Sequence, residues 1–153
     1  MPKVLIVFAS RTGESEQIAE LIGEGVRISG AEAAVKNAKD IKKVEDLAGY
    51  DAYAFGSSTY HGEMLEKMKT LLFLSEQAEL KGKVGAAFGA FGWSGEAPER
   101  IFQTMKNVFE MDMVGGPMML KSASLGGGIS MAQEYGKEIV GKLSGESRQR
   151  ALL

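Results

Sequence analysis

Three short apolar segments recur along the chain and predict buried strands. They span residues 4–8, 52–55 and 84–88. None of them alternates between apolar and polar residues, so each is typical of a strand that is buried on both faces, as in a parallel sheet. Weaker patterns predict further strands at residues 31–36 and 116–121.

Helical patterns lie between and after these strands. Apolar residues recur there at spacings of three and four, which is the pattern of a helix with one face against a core. The pattern covers residues 18–26, 64–72, 101–109 and 132–143, and a short helix is predicted around residues 41–47. The chain therefore predicts five strands that alternate with five helices.

This alternation predicts an α/β fold with a doubly wound sheet, because right-handed crossovers place helices on both faces of the sheet. Ligands bind such a sheet beyond the carboxyl ends of its strands, where the strand order reverses. Three loops follow the three apolar segments, at residues 10–15, 57–63 and 90–96. We expect these loops to converge on a ligand site.

Composition limits the chemistry that the chain itself can perform. Of its 153 residues, 44% are hydrophobic and 25% are charged, which is ordinary for one folded domain with a core. The chain has no cysteine, which excludes disulfides, thiolate metal sites and cysteine nucleophiles, and its single histidine excludes a histidine-rich metal site. Any redox chemistry must therefore come from a bound cofactor.

Charge and hydropathy narrow the range of partners. The formal net charge of −2 argues against sequence-independent nucleic-acid binding, which needs clustered positive charge. No apolar run has membrane-spanning length, and the first residues show no signal-peptide pattern. We expect a cytoplasmic protein that binds neither nucleic acid nor membranes, with one domain over residues 1–143 and a polar C-terminal tail over residues 144–153.

The first loop has the composition of a phosphate site. The run Ser10-Arg11-Thr12-Gly13-Glu14-Ser15 follows a strand and opens a helix, so backbone N–H groups and the positive end of the helix point at one spot. Neither a Walker lysine nor a G-x-G-x-x-G motif is present, which disfavours nucleoside triphosphates and dinucleotides. A phosphate monoester fits best, held by these amides and the hydroxyls of Ser10, Thr12 and Ser15. The alternative is a turn that only caps the helix.

The loops together resemble those that hold FMN in flavodoxins. The spacing Ser-x-Thr-Gly-x-Ser resembles the flavodoxin phosphate loop, and the segment FGAFGWSG at residues 88–95 resembles the F-G-x-[YF]-G-W-[SG]-G segment of short-chain flavodoxins and of the flavodoxin domains of flavodiiron proteins. The resemblance covers residues 1–143. It implies a flavodoxin-like three-layer sandwich, a five-stranded parallel sheet in the order 2-1-3-4-5, and FMN as cofactor.

For the second loop, the resemblance implies that FMN is bound by Ser58, Thr59, Tyr60, His61, Gly62 and Glu63. Tyr60, which follows Ser58 and Thr59, is similar in position to the residue that packs on the inner ring face, where a flat aromatic gains buried area and ring contact. Glu63 matches the acid that accepts a hydrogen bond from N3 of the flavin. The alternative makes Tyr60 a surface aromatic and Glu63 an acid at the start of a helix.

His61 departs from the flavodoxin pattern, which has glycine at the turn that faces N5 of the flavin. A non-glycine residue resists positive φ at a cost of about 1–3 kcal/mol, so the semiquinone is expected to be less stabilised here. In the alternative, Gly62 supplies the flexible peptide. His61 itself is expected to face solvent, the other interpretation being a proton donor near N5.

For the third loop, the resemblance makes Trp93 the partner of the outer ring face, because it stands between glycines at the end of a strand. The alternative places this tryptophan in the core or an interface. The backbone amides of the loop are expected to bind the O2 and N3 edge of the ring. The cofactor-binding residues predicted in this loop are Ala90, Phe91, Gly92, Trp93, Gly95 and Glu96.

The resemblance implies a monomeric FMN protein that shuttles single electrons at low potential between redox proteins, which bind it transiently. We expect no catalytic residue and no metal ion. One alternative is an FMN-dependent quinone reductase, although such enzymes use longer loops to build a substrate cavity. Another is a stand-alone flavodoxin module that serves a larger flavoprotein. A flavin-free receiver module is disfavoured, because the paired acids expected after the first strand are missing.

Overall fold

Strands and helices alternate through the computed structural model, which describes residues 1–90, 96–120 and 127–145. The strands are β1 (Lys3–Ala9), β2 (Glu32–Asn37), β3 (Ala52–Ser57), β4 (Thr59–Tyr60), β5 (Glu63–Met64), β6 (Val84–Ala90), β7 (Asp112–Met113) and β8 (Met118–Leu120). The helices are α1 (Glu14–Ile28), α2 (Glu66–Ser75), α3 (Glu96–Asn107) and α4 (Gly128–Leu143), and 3-10 turns span Ala38–Asp40 and Val44–Leu47.

The main sheet is parallel, and its strand order is β2-β1-β3-β6, followed by β7 and β8 at the outer edge. Both outer strands pair with β6, β7 alongside its start and β8 alongside its end. The single last strand expected at residues 116–121 is therefore two short strands in the described residues, and only Met118–Leu120 of the expected span is strand. With this pair counted as one position, the predicted order 2-1-3-4-5 is confirmed.

Each central strand contributes to two separate cores, one on each face of the sheet. In β1, Val4 and Ile6 pack on the side of α1 and α4, whereas Leu5 and Val7 pack on the side of α2 and α3. All four side chains are fully buried. This two-sided burial explains why the segment is uniformly apolar.

Two glycines allow α1 and α4 to lie against each other. A Cβ at Gly25 would stand 1.9 Å from the carbonyl oxygen of Gln133, and one at Gly136 would stand 2.2 Å from that of Ile22. Any side chain at either position would collide with the backbone of the neighbouring helix, so only glycine permits this separation. The contact fixes α1, whose first turn belongs to the first loop.

The helix expected around residues 41–47 is replaced by 3-10 turns. The carboxylate of Asp46 accepts hydrogen bonds from the amides of Lys42 and Lys43, at 2.9 and 3.2 Å. Such local side-chain bonds compete with α-helix formation. The bond from the Lys42 amide is also the main reason that the pKa of Asp46 lies below its usual value.

Two α-helices leave out the apolar residues at one end of their predicted patterns. The helix α2 begins at Glu66, because Met64 belongs to β5 and the Leu65 amide donates to the hydroxyl of Ser57 at 3.0 Å. The helix α3 ends at Asn107, before the apolar residues 108 and 109. The backbone of Glu110 turns into the left-handed region with φ of 55°, which ends the helical path.

Tyr135 fills the break between β7 and β8. Its hydroxyl donates to the carbonyl oxygen of Ala87 at 2.9 Å, accepts from the Ala87 amide at 3.2 Å, and lies 3.3 Å from the carbonyl oxygen of Gly116. Ala87 stands between the residues of β6 that pair with β7 and those that pair with β8. A helix side chain thus supplies hydrogen bonds that a strand would otherwise make.

We expect Tyr135→Phe to lower the free energy of unfolding by about 1–3 kcal/mol, because it leaves the buried backbone groups of Ala87 without their partner and keeps the ring. Urea unfolding followed by circular dichroism measures the change. Tyr50→Phe is the matched control, since the Tyr50 hydroxyl has no hydrogen-bond partner in the described part of the chain. Equal stability of the two variants would contradict the role given to Tyr135.

Tyr135 also makes the free energy of unfolding depend on pH in the alkaline range. Burial raises the pKa of Tyr135 far above its usual value near 10 and raises that of Tyr53 in the same direction. The unfolded chain therefore loses these protons first, so the stabilisation is complete below about pH 10 and is lost as the pH rises above it. We expect the free energy of unfolding to fall above about pH 10, and to fall less steeply in Tyr135→Phe. Parallel curves for the two proteins would refute this.

Candidate functional site

The first loop turns at Gly13 and opens α1. Gly13 has φ of 88°, and its amide donates to the hydroxyl oxygen of Ser10 at 2.8 Å, which closes the turn. Its carbonyl oxygen accepts the first helical hydrogen bond, from Gln17 at 3.1 Å. The N-cap residue is Gly13, which has no side chain to cap the helix. The amides of its first turn therefore remain available at the positive end of the helix dipole.

Ser15 joins the three loops. Its side chain is fully buried, and its hydroxyl oxygen lies 2.9 Å from that of Ser58 and accepts from the Ala90 amide at 3.4 Å. The amide of Ser58 in turn donates to the carbonyl oxygen of Ala9 at 3.2 Å. Residues from the ends of β1, β3 and β6 thus meet at one point, as the order of the strands requires.

The second loop forms a tight hairpin. Thr59 pairs with Met64 and Tyr60 with Glu63, which leaves His61 and Gly62 as a two-residue turn. Both have positive φ, 52° for His61 and 74° for Gly62, as in a type I′ turn. Histidine enters this region more often than most non-glycine residues, at a cost of about 1–2 kcal/mol. His61 therefore already has the conformation that we expected a non-glycine residue to resist.

Tyr60 stands at the tip of this hairpin and is 43% exposed. The guanidinium of Arg11 lies 3.8 Å from the centre of its ring, a cation–π contact between the first and second loops. The ring of His61 lies 4.1 Å away at an angle of 57°. Arg11 and His61 are both exposed, as predicted. A flat ligand that stacks on the face of Tyr60 under Arg11 requires the Arg11 side chain to move.

Two hydroxyls hold the hairpin in place. The hydroxyl oxygen of Thr59 accepts from the Ala97 amide in the first turn of α3 at 3.1 Å. The buried hydroxyl of Ser57 donates to the carbonyl oxygen of Ser58 at 2.9 Å, besides accepting from Leu65. The sequence assigned Thr59 to the cofactor and gave Ser57 no role. The only sign in the sequence that Ser57 has a role was its place in a run of hydroxyl residues.

Glu63 binds two cations. One carboxylate oxygen lies 2.7 Å from Nζ of Lys69 in α2, and the other accepts a hydrogen bond from the guanidinium of Arg100 in α3. Glu63 lies in β5, so the alternative that placed it at the start of a helix is wrong. Lys69 and Arg100 were missed by sequence reasoning, because neither belongs to a motif.

The third loop is described only at its two ends. Ala90 is buried at the end of β6, and Glu96 is partly buried at the start of α3. The predictions for Phe91, Gly92, Trp93 and Gly95 lie outside the described residues. In the first loop, Thr12 is exposed and Glu14 is partly buried in the first helical turn.

The donors of the first loop fit a phosphate monoester. The amides at the start of α1 and the hydroxyl of Ser10 lie in one turn. An anion at a helix N-terminus is bound by this combination of amides and dipole. Within the described ranges, no cluster of histidine, aspartate and glutamate is suited to a metal ion, and no helix is long and apolar enough to cross a membrane.

Comparison with known proteins agrees with this fold. The family model for flavodoxin matches residues 6–112. A flavodoxin from Clostridium beijerinckii is 30% identical over 118 residues, which cover 76% of this chain and 85% of the relative. A solved flavodoxin structure from the domain Archaea has a TM-score of 0.87 and 29% identity, covering 93% of this chain and 99% of the other.

A second kind of relative is also similar. An NAD(P)H dehydrogenase (quinone) from Rhodopseudomonas palustris (strain TIE-1) is 30% identical over 138 residues, which cover 74% of this chain and 69% of the relative.

The three loops at the carboxyl edge of a doubly wound parallel sheet define a flavodoxin-like α/β protein. The chain belongs to the flavodoxin family, whose members bind FMN and transfer electrons to redox partners. The resemblance, the fold and the cofactor expected from the sequence are thereby confirmed.

We expect Ser15→Ala to lower the free energy of unfolding of the FMN-free protein by about 1–3 kcal/mol, because the Ser58 hydroxyl and the Ala90 amide lose a buried partner. The dissociation constant of FMN should rise as well, since the three loops lose their common contact. Chemical unfolding and a fluorescence titration with FMN measure the two effects. Thr12→Ala, which removes an exposed hydroxyl, is the control for stability and should change it by less than about 0.5 kcal/mol. A Ser15→Ala variant as stable as this control would rule out the buried link.

Proposed function

We propose that this chain is a low-potential carrier of single electrons, with one FMN held by the three loops and with redox proteins that bind transiently. The proposal depends on one observation, the meeting of the three loops at Ser15, Ser58 and Ala90 beside the uncapped start of α1. FMN supplies the capacity to take up and release one electron at a time. The protein supplies binding, orientation and charge.

The first loop is proposed to bind the phosphate. The amides of Arg11, Thr12, Glu14 and Ser15 and the hydroxyls of Ser10 and Thr12 are its donors, whereas the Gly13 amide already donates to Ser10. The phosphate charge is favourable at this position because the helix dipole is positive there. The Ser15 hydroxyl orients the loop, since its contacts with Ser58 and Ala90 fix the start of α1 relative to the sheet.

The second and third loops are proposed to bind the ring. Tyr60 offers a flat apolar surface at the hairpin tip, and Trp93 is assigned to the opposite ring face. The backbone of Tyr60, His61 and Gly62 is assigned to the edge with N5, and the amides from Phe91 to Gly95 to the edge with O2, since the Ala90 amide already donates to Ser15. Glu63 is assigned to N3, and its negative charge is paired with the positive charges of Lys69 and Arg100.

The proposal has further parts beyond the site. It includes one FMN-binding domain over residues 1–143, and α4, the last described helix, ends at Leu143. It also includes a monomeric state and a cytoplasmic location, both of which remain predictions from the sequence. Residues 146–153, most of the expected polar tail, lie outside the described residues.

A second candidate function is an FMN-dependent quinone reductase. It is favoured by the similarity to the quinone dehydrogenase from Rhodopseudomonas palustris. An assay of NADH or NADPH oxidation with a quinone separates the two functions, because only the reductase consumes the nicotinamide without a partner protein.

Stepwise photoreduction of the FMN-loaded protein, followed by visible absorption, tests the proposed one-electron function. A one-electron carrier develops a long-wavelength band at intermediate reduction, before the spectrum bleaches fully. Direct bleaching with no such band would overturn the one-electron proposal. A protein that stays colourless after mixing with FMN and gel filtration would overturn the proposed site itself.

Replacing Trp93 by alanine is expected to weaken FMN binding by about 1–3 kcal/mol, the scale of base stacking on an aromatic side chain. Fluorescence titration of the FMN-free protein gives the dissociation constants. Phe73→Ala is the control, because Phe73 is a 75% exposed aromatic on α2, outside the three loops. Unchanged affinity in Trp93→Ala would remove this residue from the ring site.

A further inference from the structure

The hairpin of β4 and β5 depends on side chains for its orientation. It forms a two-stranded sheet of its own, separate from the main sheet, with two residues in each strand. Isolated hairpins of this size are marginal in water, so neighbouring elements must hold it in place. Within the described residues, it is joined to α3 through Thr59 and Arg100 and to α2 through Lys69.

Glu63 makes two of these attachments, to Lys69 and to Arg100. Its two carboxylate oxygens face different helices, one towards Lys69 and the other towards Arg100. Lys69 also lies 3.5 Å from the carboxylate of Glu66, so two acids and two bases form one network. The four formal charges cancel. Loss of Arg100 would leave the network with one excess negative charge.

The network is partly exposed, which limits what each pair contributes to stability. The side chain of Glu63 is 39% exposed and that of Arg100 is 56% exposed. Exposed pairs stabilise a fold by little, because water screens them and the side chains lose freedom. The effect of Arg100 on the position and charge of Glu63 is therefore a better test of its role than its effect on the stability of the fold.

We propose that Arg100 is a positioning residue that holds the Glu63 carboxylate and compensates its charge beside the cofactor site. The inference rests on the proposed function. Reduction of FMN brings negative charge into the site, and an uncompensated carboxylate opposes that charge. Loss of Arg100 should therefore weaken the binding of reduced FMN more than that of oxidised FMN. Arg100 acts in this way through Glu63, not by touching the cofactor.

A double-mutant cycle of Arg100→Gln and Glu63→Gln tests this inference. The measured quantities are the dissociation constants of oxidised and reduced FMN for each variant. We expect Arg100→Gln to raise the ratio of the reduced to the oxidised constant about threefold to tenfold. A tenfold change in this ratio corresponds to about 30 mV in the two-electron potential of the bound FMN. In the Glu63→Gln background, the effect of Arg100→Gln should shrink to that of the control.

Lys106→Gln is the control, because Lys106 lies in the last turn of the same helix and its loss removes the same charge. Arg100→Lys keeps the charge and should restore most of the ratio. Should Arg100→Gln fail to fold, Lys69→Gln in both Glu63 backgrounds provides the same comparison, and its effect should likewise disappear in Glu63→Gln.

Three results would overturn the inference. They are an unchanged ratio in Arg100→Gln, an effect no larger than that of Lys106→Gln, and an equal effect in both Glu63 backgrounds. The last would mean that Arg100 acts by its own charge alone. Failure of the unmodified protein to bind FMN is a different result, which rejects the proposed function.

Discussion

The structure depends on how the backbone ends of three buried parallel strands are brought together. Because the three strands are parallel, the residues that follow them lie at the same edge of the sheet. Their amide and carbonyl groups need hydrogen-bond partners there. The buried hydroxyl of Ser15 meets Ser58 and the Ala90 amide at this edge. This small hydrogen-bonded contact positions the start of α1, the hairpin strand and the end of β6 relative to each other. The proposed cofactor site is formed around it.

Hydroxyl groups form hydrogen bonds with backbone amides and carbonyl groups at other irregular places in the fold. Ser57 binds the backbone on both sides of the hairpin, and Thr59 accepts from the start of α3. Tyr135 does the same at the break between β7 and β8. Such groups can both donate and accept, so one side chain satisfies a strand that has lost its neighbour. The sheet therefore tolerates interruption without unpaired buried groups at these positions.

The second loop combines backbone strain with compensating charge. The left-handed conformation of His61 costs energy, and the hairpin is too small to hold itself. Its contacts with α2 and α3 hold it in place and, through Glu63, put an acid between two bases. The contacts that orient Tyr60 therefore also set the net charge beside the proposed ring site. The geometry of the loop and its electrostatics are linked in this way.

The sequence by itself determined the features that depend on neighbouring residues and on burial. The apolar segments of β1, β3 and β6, the turn at Gly13 and the strand order carried by the resemblance were all predictable. Tertiary structure alone decided the split of the last strand around Tyr135 and the pairing of Glu63 with Lys69 and Arg100. Burial requires apolar residues in a recognisable pattern along the sequence. A hydrogen bond or ion pair between distant residues produces no such pattern, because it arises only when the fold brings the residues together.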